Sequence, residues 1–333
     1  MPPLSAAVGL APVLCFLAAL LVLDSYKLVK VRTVLAVVAA GMALAMGAYV
    51  VNGWILEATG VGFNTLTRYG APFVEELAKG LVIVILARMN RVGFLVDAAI
   101  LGFGVGTGFA VVENLHYLRL MPDASLGTWV VRGFGTALMH GGATAIFAVM
   151  GIALVERHGR GLAAWLPGYG IAVVLHSAFN HFFLSPFAST VGIAVVLPPL
   201  LYLVFERSER AVGQWLGKGF DADAEMLELI NSGRLSDSPV GRYLHSLRDR
   251  FQGPVVADVL CYLRLYTELA LRAKGILIMR ENGFEADVDD ETRAKFAEMT
   301  YLESSIGRTG LRALQPMLHM SHRDLWQLYM LKR

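Results

Sequence analysis

Apolar residues fill seven long stretches in the first two thirds of the chain, roughly 5–23, 33–56, 71–88, 93–118, 129–155, 165–184 and 186–205. A helix needs about 20 mostly apolar residues to cross about 30 Å of hydrocarbon, so the pattern predicts about seven crossings. Beyond residue 205 the pattern changes: apolar positions recur at helical spacing among charges, over roughly 222–233, 240–251, 255–281, 290–305 and 322–332. Ser238 before Pro239, Asp289 and Asp290 ahead of an apolar-periodic run, and Ser321 with Asp324 read as helix starts. The fold class is therefore all-α, a polytopic membrane helix bundle over 1–205 followed by a soluble helical domain over 206–333. Four glycines, Gly102, Gly104, Gly106 and Gly108, interrupt the fourth stretch at a spacing unlike that of a nucleotide-binding loop. They read as small residues that let membrane helices approach closely.

Composition agrees with this division. Hydrophobic residues make up 56% of the chain and charged ones 17%, far from a soluble average. The first 205 residues hold only 8 of the 27 acidic and 11 of the 29 basic side chains. No Lys/Arg stripe marks a nucleic-acid partner. Two cysteines, Cys15 and Cys261, make neither a disulfide framework nor a Cys-rich metal site. No basic residue precedes the first apolar stretch, so the first span is expected to be retained rather than removed as a signal peptide. Short-loop cations gather on one side of the alternating spans: Lys27, Lys30 and Arg32; Arg88 and Arg91; Arg157 and Arg160; Arg207 and Arg210. By the excess of Lys/Arg in cytoplasmic loops, the expected placement is multi-pass in the cell (inner) membrane, N-terminus outside and C-terminus cytoplasmic.

Ionisable groups are costly in hydrocarbon, so each one inside a span is a candidate for function. The third span carries Glu75, Glu76 and Lys79, the fourth ends with Glu113, Asn114 and His116, the fifth holds His140 and Thr144, and the sixth holds His176, Asn180 and His181. At about 1.5 Å per residue, Glu75, Glu76 and Glu113 lie within about 10 Å of the outer boundary, with His140 and His176 nearer the middle. One cavity in the outer half suits all of them. Glu75 and Glu76 diverge by about 100° on their helix, which predicts different tasks. Thr144, His116 and His181 read as structural, and Arg132 and Asp97, near span ends, as snorkelling or loop contacts.

Peptide hydrolysis needs an activated water, a donor for the oxyanion and an acid for the leaving amine. The candidate catalytic residues are Glu75, Glu76, Glu113, His140, His176 and Asn180. Two variants stand side by side. In one, Glu113, His140 and His176 hold a zinc ion and leave a fourth position for water, with Glu75 or Glu76 as base. In the other, a glutamate activates water without metal while His140 or His176, with Asn180, donates to the oxyanion. The rival class is a proton- or cation-coupled transporter using the same buried groups.

Four motifs in order, Glu75-Glu76-x-x-Lys79, Phe109-x-x-x-Glu113-Asn114, His140 and His176-x-x-x-Asn180, resemble the PrsW family of bacterial membrane proteases, within the superfamily that includes the CAAX prenyl endopeptidases. The CAAX enzymes have a histidine where this chain has Glu113. The resemblance implies an intramembrane endopeptidase acting on a single-pass membrane protein, typified by an anti-sigma factor cut on its extracytoplasmic side. It does not reach the C-terminal domain, which is expected to bind a partner or self-associate. Asp287, Asp289, Asp290 and Glu291 lack the turn glycine of a calcium-binding EF-hand loop and read as helix capping.

Overall fold

The computed structural model describes residues 3–331 apart from 160, 249, 285, 287, 315–317 and 319–321, so Arg160, Asp287 and Ser321 lie outside the described residues. Among the described residues every regular element is helical. The chain divides into two compact units, Met1–Glu209 and Arg210–Arg333.

Seven helices form the first unit: α1 (Pro3–Leu23), α2 (Val31–Thr59), α3 (Ala71–Arg88), α4 (Leu95–Leu120), α5 (Ala137–His158), α6 (Leu166–His181) and the start of α7 (Pro186–Asn231). Among the described residues, six stretches are long and apolar enough to cross a membrane. The seventh expected span, 71–88, is helical throughout as α3, but Glu75, Glu76, Lys79 and Arg88 take it off the apolar scale. Its outer face explains the discrepancy. Phe73, Leu77, Leu81 and Ile85, four residues apart, are each at least half exposed, an apolar stripe of the kind that meets lipid. Glu76 and Lys79 on the opposite face are buried.

Helix α4 is the centre, buried along nearly its whole length and packed against α5, α2, α1 and α3. Its glycines make that possible. A Cβ at Gly108 would stand 2.0 Å from the Val38 carbonyl oxygen of α2, and one at Gly106 would stand 2.3 Å from the His140 carbonyl oxygen of α5. The tight packing read from the sequence is thus present on two faces of one helix, one of them at a candidate site residue. Asp97 anchors the start of α4, accepting from the backbone N–H groups of Gly93 at 2.6 Å and Phe94 at 2.7 Å. It is a helix cap, a contact local to the loop.

The character change after residue 205 does not break the helix: α7 runs unbroken to Asn231, with Pro198 and Pro199 inside it. In the second unit α8 (Pro239–Leu247), α9 (Gly253–Glu281), α10 (Asp290–Leu314) and α11 (His322–Leu331) follow. Ser238 caps α8 by accepting from Gly241 N–H at 3.0 Å, and Asp289 caps α10 by accepting from Thr292 N–H at 2.9 Å. Leu263, Leu269, Ala273 and Leu277 of α9 pack with Phe296, Met299 and Leu302 of α10 in its core. The buried Lys274 ammonium pairs with Asp223 at 2.5 Å.

Candidate active site

Two helices that bear candidate groups, α3 and α5, each begin with a π-helical turn, Leu66–Gly70 and Val131–Thr136. Such turns free backbone carbonyls from the regular ladder, and in an apolar setting those need donors. Polar side chains of neighbouring helices supply them. Asn180 donates to the Thr67 carbonyl at 2.8 Å, Ser177 to that of Arg68 at 2.6 Å, and Asn114 to that of Arg132 at 3.4 Å. Asn180 therefore spends one N–H on the turn that leads into α3.

The charged groups join in one chain of contacts across α3, α4, α5 and α6. Lys79 Nζ donates to Glu76 Oε1 at 2.5 Å and to His140 Nδ1 at 3.0 Å. With Nδ1 accepting from an ammonium, His140 carries its proton on Nε2, which donates to Glu113 Oε2 at 2.8 Å. Arg132 Nη2 lies 3.2 Å from the other oxygen of Glu113, and its Nε donates to Asn114 Oδ1 at 2.9 Å. On the other side, His176 Nδ1 donates to Glu76 Oε1 at 2.8 Å. The acceptor nitrogen of His176, Nε2, thereby faces Glu75 Oε2 at 4.0 Å. The two imidazoles meet edge to face with centroids 4.7 Å apart. Phe109 covers them, its ring 5.0 Å from His140 and 4.8 Å from the Lys79 ammonium.

The divergence of Glu75 and Glu76 separates their surroundings. Glu76 is buried between Lys79 and His176 with its charge matched. Glu75 is partly exposed and, among the described residues, accepts one hydrogen bond, from Asn52 Nδ2 of α2 at 3.1 Å. Among the described residues, Glu75, His140 and His176 offer donor atoms within 4.8 Å of one another, a group suited to holding one metal ion. Glu113, expected in that set, contacts His140 directly instead.

Of the residues read as structural, Thr144 bonds its own helix at the His140 carbonyl, His181 donates to Ser177 O at 2.7 Å beside Tyr69, and His116 sits edge-on to Tyr49. Two contributors escaped the sequence reading. Arg132, taken for a snorkelling residue, holds Glu113. Asn52, a lone neutral polar residue in a long apolar run, holds Glu75. An apolar cleft of about 380 Å³ lies between α5, α6 and α7, lined by Met139, Gly142, Leu175, Phe179, Gly192 and Val196. Met139 and Leu175 are the sequence neighbours of the two histidines.

No curated protein and no solved structure matches the chain. A family model described as PrsW family intramembrane metalloprotease matches residues 29–204, more than half of the chain and all of the groups that meet around Glu75, His140 and His176. The chain belongs to the PrsW family and is an intramembrane protease.

Proposed function

We propose that this peptidase cleaves a single-pass membrane protein, of which an anti-sigma factor is an example, near its extracytoplasmic side, with Glu75 as the group that activates water. The observation that carries this reading is the contrast among the three glutamates. Glu76 and Glu113 are matched by Lys79, Arg132 and both histidines, whereas Glu75 holds one hydrogen bond from Asn52 and keeps Oε2 toward His176. A base needs such an uncommitted lone pair. Membership of a protease family does not favour the transporter alternative.

Glu75 takes a proton from the water as its oxygen bonds to the scissile carbonyl carbon. The carbonyl electron pair moves onto oxygen, where the second N–H of Asn180 donates to it. Glu75 then returns the proton to the departing nitrogen as the C–N bond breaks. Glu76 keeps the His176 proton on Nδ1, so Nε2 stays an acceptor toward the site. Arg132 holds Glu113 as the carboxylate that orients His140, an arrangement typical behind functional histidines. The apolar cleft between α5, α6 and α7 suits the flanking part of a membrane-embedded substrate.

The donor set of one carboxylate and two imidazoles fits zinc by ligand type and closeness. On that metal-dependent route Glu75, His140 and His176 would hold it, His140 only in place of its contact with Lys79 or Glu113, and Glu75 would serve as a ligand rather than as the free base. When bound, the ion supplies Lewis-acid polarisation and a more acidic water.

The test is cleavage of a single-pass substrate by the purified, reconstituted protein, with Glu75→Gln, His140→Ala and His176→Ala alongside and metal content measured. Loss of cleavage in all three is expected. Undiminished cleavage in the three variants overturns the assignment. One equivalent of zinc, lost together with activity in the histidine variants, selects the metal-dependent route.

A further inference from the structure

A peptide bond inside a membrane helix is shielded by its own hydrogen bonds, so cleavage requires local unwinding. Unwinding strands backbone N–H groups where no water is available to accept from them. A protease working in that setting needs acceptors placed beside its catalytic group, and a buried acceptor that lacks a partner in the substrate-free protein marks such a place.

Among the described residues, few buried side-chain oxygens lack a partner, and within the first unit the one beside the site is Asn52 Oδ1. The same amide donates through Nδ2 to Glu75 Oε1 at 3.1 Å. That bond fixes which way the amide points, because a carboxylate accepts and repels another oxygen. With ordinary amide bond lengths, Oδ1 is then within about 5 Å of Glu75 Oε1. Asn52 stands on α2, whose buried residues Val34, Val37, Gly41, Ala45 and Ala48 are small or aliphatic. A polar side chain with one half spent on Glu75 and the other half unsatisfied is more than helix-packing glue, which would bond across the interface with both.

We propose that Asn52 Oδ1 accepts a backbone N–H of the unwound substrate next to the scissile bond, while Nδ2 keeps Glu75 aimed at the water. This rests on the reading of Glu75 as the base. The ligand class is an extended peptide backbone, recognised irrespective of side chain. A substrate N–H bound there lies alongside Glu75, so one amide registers the peptide against the base that attacks it.

The experiment couples enzyme and substrate changes. Single-pass substrates are prepared by semisynthesis with one backbone amide replaced by an ester, which deletes one N–H, at each of the four residues around the cleavage position except the scissile bond itself. They are compared with wild type, Asn52→Leu and Asn52→Asp in liposomes. The expected result is one position at which the ester lowers kcat/KM at least tenfold for wild type but less than twofold for Asn52→Leu. Asn52→Asp, which retains an acceptor, should keep the ester sensitivity at that position even if its overall rate is lower. Equal ester effects in wild type and Asn52→Leu at every position overturn the proposal. Should Asn52→Leu fail to fold, absence of ester sensitivity at all positions in wild type overturns it equally. Failure of the underlying reading looks different: Glu75→Gln then cleaves the all-amide substrate as fast as wild type.

Discussion

Replacing Glu76 by Gln strands the Lys79 ammonium, which is fully buried and has Glu76 as its only carboxylate contact at 2.5 Å among the described residues. Breaking a buried pair from one side costs about 3 kcal/mol or more, whereas removing both charges leaves no stranded ion. Glu76→Gln should therefore lower the denaturation midpoint in detergent markedly, and Glu76→Gln combined with Lys79→Met should recover much of that loss without restoring cleavage. Glu75→Gln belongs to the other kind. Its hydrogen-bond donor, Asn52, accommodates an amide as well as a carboxylate, so stability should stay within about 0.5 kcal/mol of wild type while cleavage falls at least about 100-fold. A Glu75→Gln protein as unstable as Glu76→Gln would refute the division of labour. At this scale the sequence was most informative where cost was highest. Glu75, Glu76, Glu113, His140 and His176 stand out because ionisable groups in apolar runs demand a reason. Asn52 does not, since a single neutral amide in a span is ordinary glue, and Arg132 lies close enough to a span end to pass for a snorkelling residue.

Helix α4 places two neighbours by close backbone approach, α5 with His140 and α2 with Asn52, so the site depends on an element that contributes only Glu113 to its charges. At Gly106 an added Cβ would meet the His140 carbonyl at 2.3 Å, backbone against backbone with nothing flexible to yield. Overpacking of this sort costs about 1–3 kcal/mol, and here it displaces the turn that carries His140. Gly106→Ala should lower both the denaturation midpoint and the cleavage rate, the latter at least tenfold, since sub-ångström errors at a catalytic constellation are expensive. Gly47→Ala on α2, where the new methyl meets open space, is the control and should leave activity unchanged. The glycine spacing announced close packing in the sequence, though not which neighbour each glycine admits. The π-helical turns before α3 and α5 left no trace there, because they need no particular residue type and follow from where Asn180, Ser177 and Asn114 find acceptors. Helix α3 fails a hydropathy measure for a related reason: averaging around the helix mixes an apolar outer stripe with a charged inner face.

At the scale of the whole molecule, the loop between α1 and α2 carries a pH response outside the spans. Burial pushes the Asp24 carboxyl up to about 6, against the opposing pull of the Val29 and Leu28 backbone bonds and of Lys27. A group that binds its proton more tightly when folded makes stability fall as pH rises from the unfolded value near 4 to the folded value near 6, and level off above. Asp24→Asn should remove that slope and raise stability at neutral pH by roughly 2–3 kcal/mol, read from denaturation midpoints between pH 4 and 8. This loop should face the cytoplasm if the cations at Lys27, Lys30, Arg32, Arg88, Arg91, Arg157, Arg207 and Arg210 orient the protein. The alternation of α1 to α7 then sets Glu75 near the start of α3, Glu113 near the end of α4 and Asn180 near the end of α6 all toward the outer face, the disposition that extracytoplasmic cleavage needs. Two exposed positions separate the orientations. Cys261 is an exposed free thiol of the second unit, and Asp123 is exposed in the loop after α4. In a Cys15→Ser background, an impermeant maleimide applied to intact cells should label Asp123→Cys at once and Cys261 only after the membrane is permeabilised. The reverse pattern would turn the carboxylates toward the cytoplasm, and the substrate region within reach of Glu75 would then be the cytoplasmic half of the span.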